Sequence, residues 1–139
     1  MAPVQRLQTR PQFQAVLAGA IVARTTHFAL HRNVLDVKPV PARPVEGVDS
    51  PALFPVQDQW IGAMVPKRWA KRAVTRNAIK RQIYTVSAEF LHQYPQAAYV
   101  VRLRRDFSRA EFVSASSERL KEAVRAEVQA LMQAGAKAP

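Results

Sequence analysis

Between Ala73 and Tyr94 the apolar residues Ile79, Ile83, Val86 and Phe90 recur at spacings of four, three and four. That period belongs to an amphipathic α-helix with one stripe to bury. Overlapping its start, the fifteen residues from Lys67 to Arg81 carry seven of the chain's 21 Lys and Arg and no acid. No Asp or Glu occurs between Asp58 and Glu89. On a wheel turning about 100° per residue, with Arg76 at zero, Lys80 falls at roughly 40°, Tyr84 at roughly 80°, Asn77 at roughly 100° and Arg81 at roughly 140°. The apolar residues cluster between roughly −80° and −20°, so the cations form a separate face beside the stripe. Lys67, Arg68, Lys71 and Arg72 precede the helix, in the turn that leads into it. The fold must bury one side of this helix in a core and leave the other to solvent, counterions or a polyanion.

The remaining segments supply the rest of a small domain. Thr9 is placed to cap a short helix with Pro11 in its first turn; Phe13, Val16 and Leu17 fall at helical spacing and Gly19 marks the end. Arg24 to Asn33 reads as a strand in which Phe28 and Leu30 alternate with His27, Ala29 and His31. Five of the ten prolines lie between Val37 and Pro55, which forbids a central strand or helix there. Residues 37–56 are therefore expected to form a long, partly extended, mobile loop. Gln59 to Val65 is the next strand, with Gly62 leaving room for a close neighbour and Pro66 stopping it. The basic helix ends before Pro95, and Ala98 to Leu103 is a third strand. Ser108 with Glu111 offers a capping box for a last helix that carries Leu120, Val124, Val128 and Leu131 on one face, and residues 133–139 are expected to fray. The order helix, strand, strand, helix, strand, helix predicts an α+β fold: a two-layer α/β sandwich with a small central mixed sheet, in a single domain spanning 1–139.

A net charge of +11 with 48% hydrophobic residues describes a folded basic domain, and 139 residues suffice for one core. The charge favours nucleic acid, or an anionic membrane surface, as partner. No run approaches the length that spans a bilayer. Arg6 and Arg10 precede a mostly apolar stretch, but Pro11, Gln12 and Gln14 spoil it as a signal peptide. The lack of Cys excludes disulfides and thiolate metal sites and fits a cytoplasmic location. His27 and His31, on one strand, would stand about 13 Å apart, too far to share a metal, and read as surface histidines. Glu118 and Glu122 are expected to pair with Arg119, Lys121 or Arg125. With no Gly-rich phosphate loop, metal cage, nucleophile elbow or carboxylate dyad, no catalytic residue and no metal ligand is assigned to the chain.

The basic face is built for recognition. Arg offers a planar fork that fits phosphate, Lys a point charge, and Asn77 both a donor and an acceptor for phosphate or a 2′-hydroxyl. A merely solvated face is the bland reading, disfavoured by seven cations with no compensating acid. Phe13 and Phe28 raise a second surface, because aromatic residues on a sheet can stack unpaired bases, although core is the commoner role for them.

These residues resemble the protein subunit of bacterial ribonuclease P. The resemblance rests on KRWAKRAVTRNAIKR, centred on Arg76-Asn77, on the strand WIGAMVPKR running into it, on the early FQAVL, on YVVRLRRDF and on the closing Leu-rich helix. It covers about residues 6–36 and 57–132. It implies a left-handed crossover in the sandwich, rare on general topological grounds. It also implies two partners, the catalytic RNA subunit and precursor tRNA, with a monomeric protein in a 1:1 complex with the RNA. The RNA would hydrolyse the phosphodiester with magnesium that it binds itself, removing the 5′ leader, so the chain would be an enzyme only as a holoenzyme subunit. Arg68, Arg72, Arg76, Asn77, Lys80 and Arg81, with Lys67 and Lys71 in the same block, would face the catalytic RNA. Phe13 and Phe28 would belong to a leader-binding cleft between the sheet and the first helix. Three departures stand out: Tyr84 where the family commonly has Arg, Thr75 and Ala78 at positions often charged, and the Pro-rich insertion. The alternative is a ribosomal or other structural RNA-binding protein. A DNA-binding regulator is disfavoured by the strand before the basic helix, and a membrane-surface helix by its compact apolar stripe.

Overall fold

The computed structural model describes residues 4–36, 53–107 and 118–137. Eight elements follow in order: β1 (Gln5–Arg6), α1 (Arg10–Leu17), β2 (Ala20–Arg24), β3 (Phe28–Asn33), β4 (Trp60–Met64), α2 (Ala73–Phe90), β5 (Ala98–Leu103) and α3 (Glu118–Ala136). A 3-10 turn at Leu91–Gln93 extends α2. The strands form one mixed sheet in the order β1-β4-β5-β3-β2, parallel across β1, β4 and β5 and antiparallel across β5, β3 and β2. The expected α+β sandwich is the observed architecture. The parallel neighbours β4 and β5 are joined through α2.

Local chemistry fixes α1. The Thr9 hydroxyl accepts from the Gln12 N–H while the Gln12 side chain accepts from the Thr9 N–H at 3.1 Å, a reciprocal cap with Pro11 in the first turn. Gly19 follows the helix because a Cβ there would lie 2.2 Å from the Arg32 carbonyl oxygen. The chain can thus turn tightly against β3.

Alternation along the central strands sorts residues onto two faces. Ile61, Ala63, Tyr99, Val101, Leu103, Phe28 and Leu30 face α2 and α3 and meet Ile79, Ile83, Val86, Val124, Val128 and Leu131. Trp60, Ala98 and Val100 face the other way, under Val16 of α1, Leu35 and Phe54. Tyr94 and Tyr99 contact edge-to-face, with centroids 5.2 Å apart, and burial pushes both phenols up to about 12. They therefore remain donors at neutral pH, to the carbonyls of Met132 and Pro95 respectively.

The structure corrects parts of the sequence reading. Arg24–Asn33 is not one strand: β2 ends at Arg24, a turn tied by the Thr25 N–H to the Phe28 carbonyl at 2.9 Å intervenes, and β3 begins at Phe28. β2 is an edge strand whose residues are exposed or half-buried, so it lacks the alternation that reveals a strand. β1, two residues long, is too short to show any period. Residues 133–136 are not frayed, because α3 continues to Ala136. Gly135 lets that last turn press on the core, since a Cβ there would come within 2.6 Å of Leu30 and of the Tyr94 hydroxyl. The Pro-rich segment lies outside the described residues up to position 52; residues 53–56 carry no helix or strand, as expected of a loop, but this end is anchored, because Phe54 is buried edge-to-face on Trp60, with centroids 5.4 Å apart. The Ser108–Glu111 capping box also lies outside the described residues.

Candidate nucleic-acid interface

Pro66 ends β4, and its carbonyl accepts the N–H groups of Trp69 and Ala70, folding residues 66–72 into a compact turn. Trp69 packs against the core and carries the Arg68 guanidinium 5.2 Å from its ring centroid. Lys67, Arg68, Lys71 and Arg72 all stay exposed on this turn. Arg72 is the N-cap of α2, makes no capping bond through its side chain, and is followed by no acid in the first turn. Helix N-termini favour negative charge, yet four cations surround this one and its first turn supplies no acid to meet them. Along α2, Asn77 and Arg81 are exposed and Lys80 is half-buried.

Arg76 departs from the expected free cation. It is half-buried, and its Nη1 donates to the carbonyls of Ala70 at 3.0 Å and Lys71 at 2.9 Å. One edge of its guanidinium therefore braces the cationic turn from below. Lys67, Arg68, Lys71 and Arg72 are thus exposed on the turn and Asn77 and Arg81 on α2, with Lys80 half-buried and Arg76 tied to the turn.

Next to this face lies a cleft of about 360 Å³ lined by Gln8, Thr9, Arg10, Phe13, Ala63, Met64, Val65 and Lys80. Its walls are the start of α1 and the Lys80 turn of α2, and its floor is the end of β4. Gly62 makes it possible: a Cβ there would meet the Phe13 ring at 2.6 Å and Leu7 at 2.8 Å. Phe13 therefore lies directly on β4, half-buried, with part of its ring in the cleft. Phe28 does not join it. It is fully buried on the opposite face of the sheet, 6.0 Å from the Phe107 ring centroid, and is a core residue.

Sequence reasoning missed other groups here. Met64 pairs with Arg102 across β4 and β5, which puts a guanidinium beside the cleft floor. Arg102 Nε donates to His31 Nε2 at 3.1 Å. His31 is buried, not a surface histidine, and burial first, then Arg102 and Arg24, lowers its pKa below the usual 6.5. Its Nδ1 has no hydrogen-bond partner among the described residues. His27 sits in the β2–β3 turn, where its Nδ1 lies 2.7 Å from Glu127 and its ring stacks on Phe107 at 4.0 Å. Glu118 pairs with Lys121 as expected. No signal in the sequence links positions 31 and 102, since the pairing needs the β3–β5 register.

Tyr84 is already engaged. Its hydroxyl accepts from the Ala63 N–H at 3.2 Å, and the Arg6 guanidinium covers its ring at 4.1 Å from the centroid. Among the described residues no three His, Asp or Glu groups are placed to hold a metal ion, and no helix is long and apolar enough to cross a membrane. The arrangement is thus a cationic, hydrogen-bonding surface beside an aromatic-lined cleft, suited to a single-stranded segment continuous with a folded polynucleotide.

Comparison with known proteins identifies what the chain resembles. The profile of the Ribonuclease P family matches residues 1–133. The ribonuclease P protein component of Bordetella parapertussis is 34% identical over 125 residues, covering 90% of this chain and 86% of that protein. That of Bordetella petrii is 32% identical over 130 residues, covering 94% and 90%. The fold is similar to that of the Staphylococcus aureus RNase P protein, with a TM-score of 0.63 and 94% of each chain covered at 14% identity.

Proposed function

The chain belongs to the ribonuclease P protein family, and on that premise we propose that its basic face docks on the catalytic RNA of the holoenzyme while its cleft holds the 5′ leader of precursor tRNA. A ribonuclease P protein component is a subunit of a ribonucleoprotein enzyme of tRNA processing, so an RNA subunit is its partner. The observation that carries the finer reading is the block Lys67–Arg81. Four of its seven cations surround a helix start that has no acid in its first turn and no side-chain cap, the others follow along α2, and a phosphate backbone relieves that repulsion by counterion release.

The roles divide by element. Lys67, Arg68, Lys71 and Arg72 take phosphates from the turn; Lys80, Arg81 and Asn77 extend the contact along α2. Arg76 holds the turn carbonyls and shapes the surface. Phe13, with Lys80 opposite, offers the leader a ring to stack on and a charge for its phosphate. Phe28 plays no part in that cleft. The bond-breaking chemistry is assigned to the catalytic RNA, as the family resemblance implies, with magnesium held mainly by its phosphate oxygens, the hard ligands that ion prefers. The complex is 1:1, cytoplasmic, and releases the leader to leave the mature tRNA 5′ end.

Reconstitution tests this. Catalytic RNA at low magnesium should process precursor tRNA poorly alone and efficiently with the protein, and the protein alone should cut nothing. Failure of the protein to stimulate the RNA, or cleavage by RNA-free protein, overturns the proposal.

A further inference from the structure

Position 84 interrupts the cationic face of α2: it lies one turn beyond Lys80 and two turns beyond Arg76, and it carries Tyr. We infer that Arg6 of β1, stacked on the Tyr84 ring, supplies the missing guanidinium and forms a phosphate-binding site at the border between the basic face and the cleft. The inference rests on the reading of α2 as the surface that meets the catalytic RNA.

Three observations place the group. The Arg6 guanidinium carbon is 4.1 Å from the Tyr84 ring centroid, within cation–π range. The backbone beneath it is fixed, because Arg6 pairs with Ile61 and the Leu7 N–H donates to the Ile61 carbonyl at 3.0 Å. The ring is fixed too, because the Tyr84 hydroxyl accepts the Ala63 N–H just beyond the end of β1, where the edge of β4 would otherwise be bare. Tyr84 is therefore a platform and not itself a free stacking surface.

The stacked guanidinium remains exposed, and among the described residues no carboxylate pairs with it. Gln8, two residues beyond Arg6, and Lys80, one helical turn before Tyr84, both line the cleft. A guanidinium held over an aromatic ring keeps N–H donors for a ligand, and loses less side-chain freedom on docking than a free Arg would. Its ligand class is a backbone phosphate of the catalytic RNA, placed where the polynucleotide passes from α2 toward the cleft.

Affinity for the catalytic RNA, measured across a salt series, tests this. Arg6→Ala should weaken binding about fivefold at low salt and make the salt slope shallower by about one. Its melting curve should match the parent, since the side chain is exposed. Tyr84→Phe keeps the ring but not its bond to the Ala63 N–H, and should lose less affinity than Arg6→Ala. Tyr84→Leu should lose as much as Arg6→Ala, and combining the two should cost no more than either. Tyr84→Arg placed in the Arg6→Ala background should restore both affinity and slope. If Arg6→Ala leaves both unchanged while Lys80→Ala with Arg81→Ala reduces them, this site is refuted and the α2 surface stands. If neither variant changes them, both fall. A loss on Arg6→Ala that Tyr84→Arg does not repair also refutes the placement.

Discussion

The two faces of the sheet carry similar residues to opposite ends. Beneath α2 and α3 the sheet is sealed: Phe28, Leu30, Tyr99 and Leu103 are completely buried. Beneath α1 it is sealed only in part, because an eight-residue helix covers Trp60, Ala98 and Val100 and leaves the end of β4 as the floor of a cleft. Phe28 and Phe13 show the difference. Each is an aromatic near the amino-terminal end of the chain with the same chemistry, yet one has no exposed surface and the other borders an open groove. A small domain uses long helices to make its stability on one side, and a short helix to leave usable surface on the other.

The largest test of that contrast is Phe28→Ala. Emptying a fully buried aromatic site should cost about 3–5 kcal/mol in urea unfolding, with leader affinity of the remaining folded protein unchanged. A selective loss of leader binding with little loss of stability would return Phe28 to the cleft. Next, Lys80→Ala with Arg81→Ala should weaken catalytic-RNA binding by about tenfold and flatten its salt dependence by roughly two, with intact circular dichroism. Loss of helical signal would mean these side chains hold the fold. Phe13→Ala should cost about 1–2 kcal/mol of stability, less than Phe28→Ala, and lower leader affinity several-fold. An unchanged leader affinity would leave the cleft without its proposed ligand.

The smallest effect concerns acid. His31 binds a proton less readily folded than unfolded, because burial and the Arg102 and Arg24 charges oppose it. Between its lowered folded pKa and the usual 6.5 the unfolded chain holds more protons, so stability is complete above about pH 6.5 and falls as pH drops below it. Replacing His31 with Leu should flatten that acid-side slope in unfolding curves taken from pH 7.5 to 5. A parallel slope in the variant would show that other groups carry it.

Much of this was legible before any coordinates. The apolar stripe of α2 and its basic face, the span Ala98–Leu103 and the Thr9 cap depend on neighbours within a few residues, and each lies where local pattern put it. β2 was not legible, because an edge strand need not alternate. Arg76 looked like one more free cation, since a helical wheel does not show the carbonyls of the preceding turn that its guanidinium holds. A cleft beside the first helix was anticipated through family resemblance, and Phe13 lines it, but Phe28 does not, because it faces inward by the parity of β3.

By itself the sequence determined the charge, the helix that displays it, and the family of the chain, because charge density and helical period are properties of contiguous residues. Tertiary structure alone decided which aromatic lines the cleft, that His31 meets Arg102, and that Arg6 lies on Tyr84. Those pairings join positions 71 and 78 residues apart, and strand register brings them within contact distance.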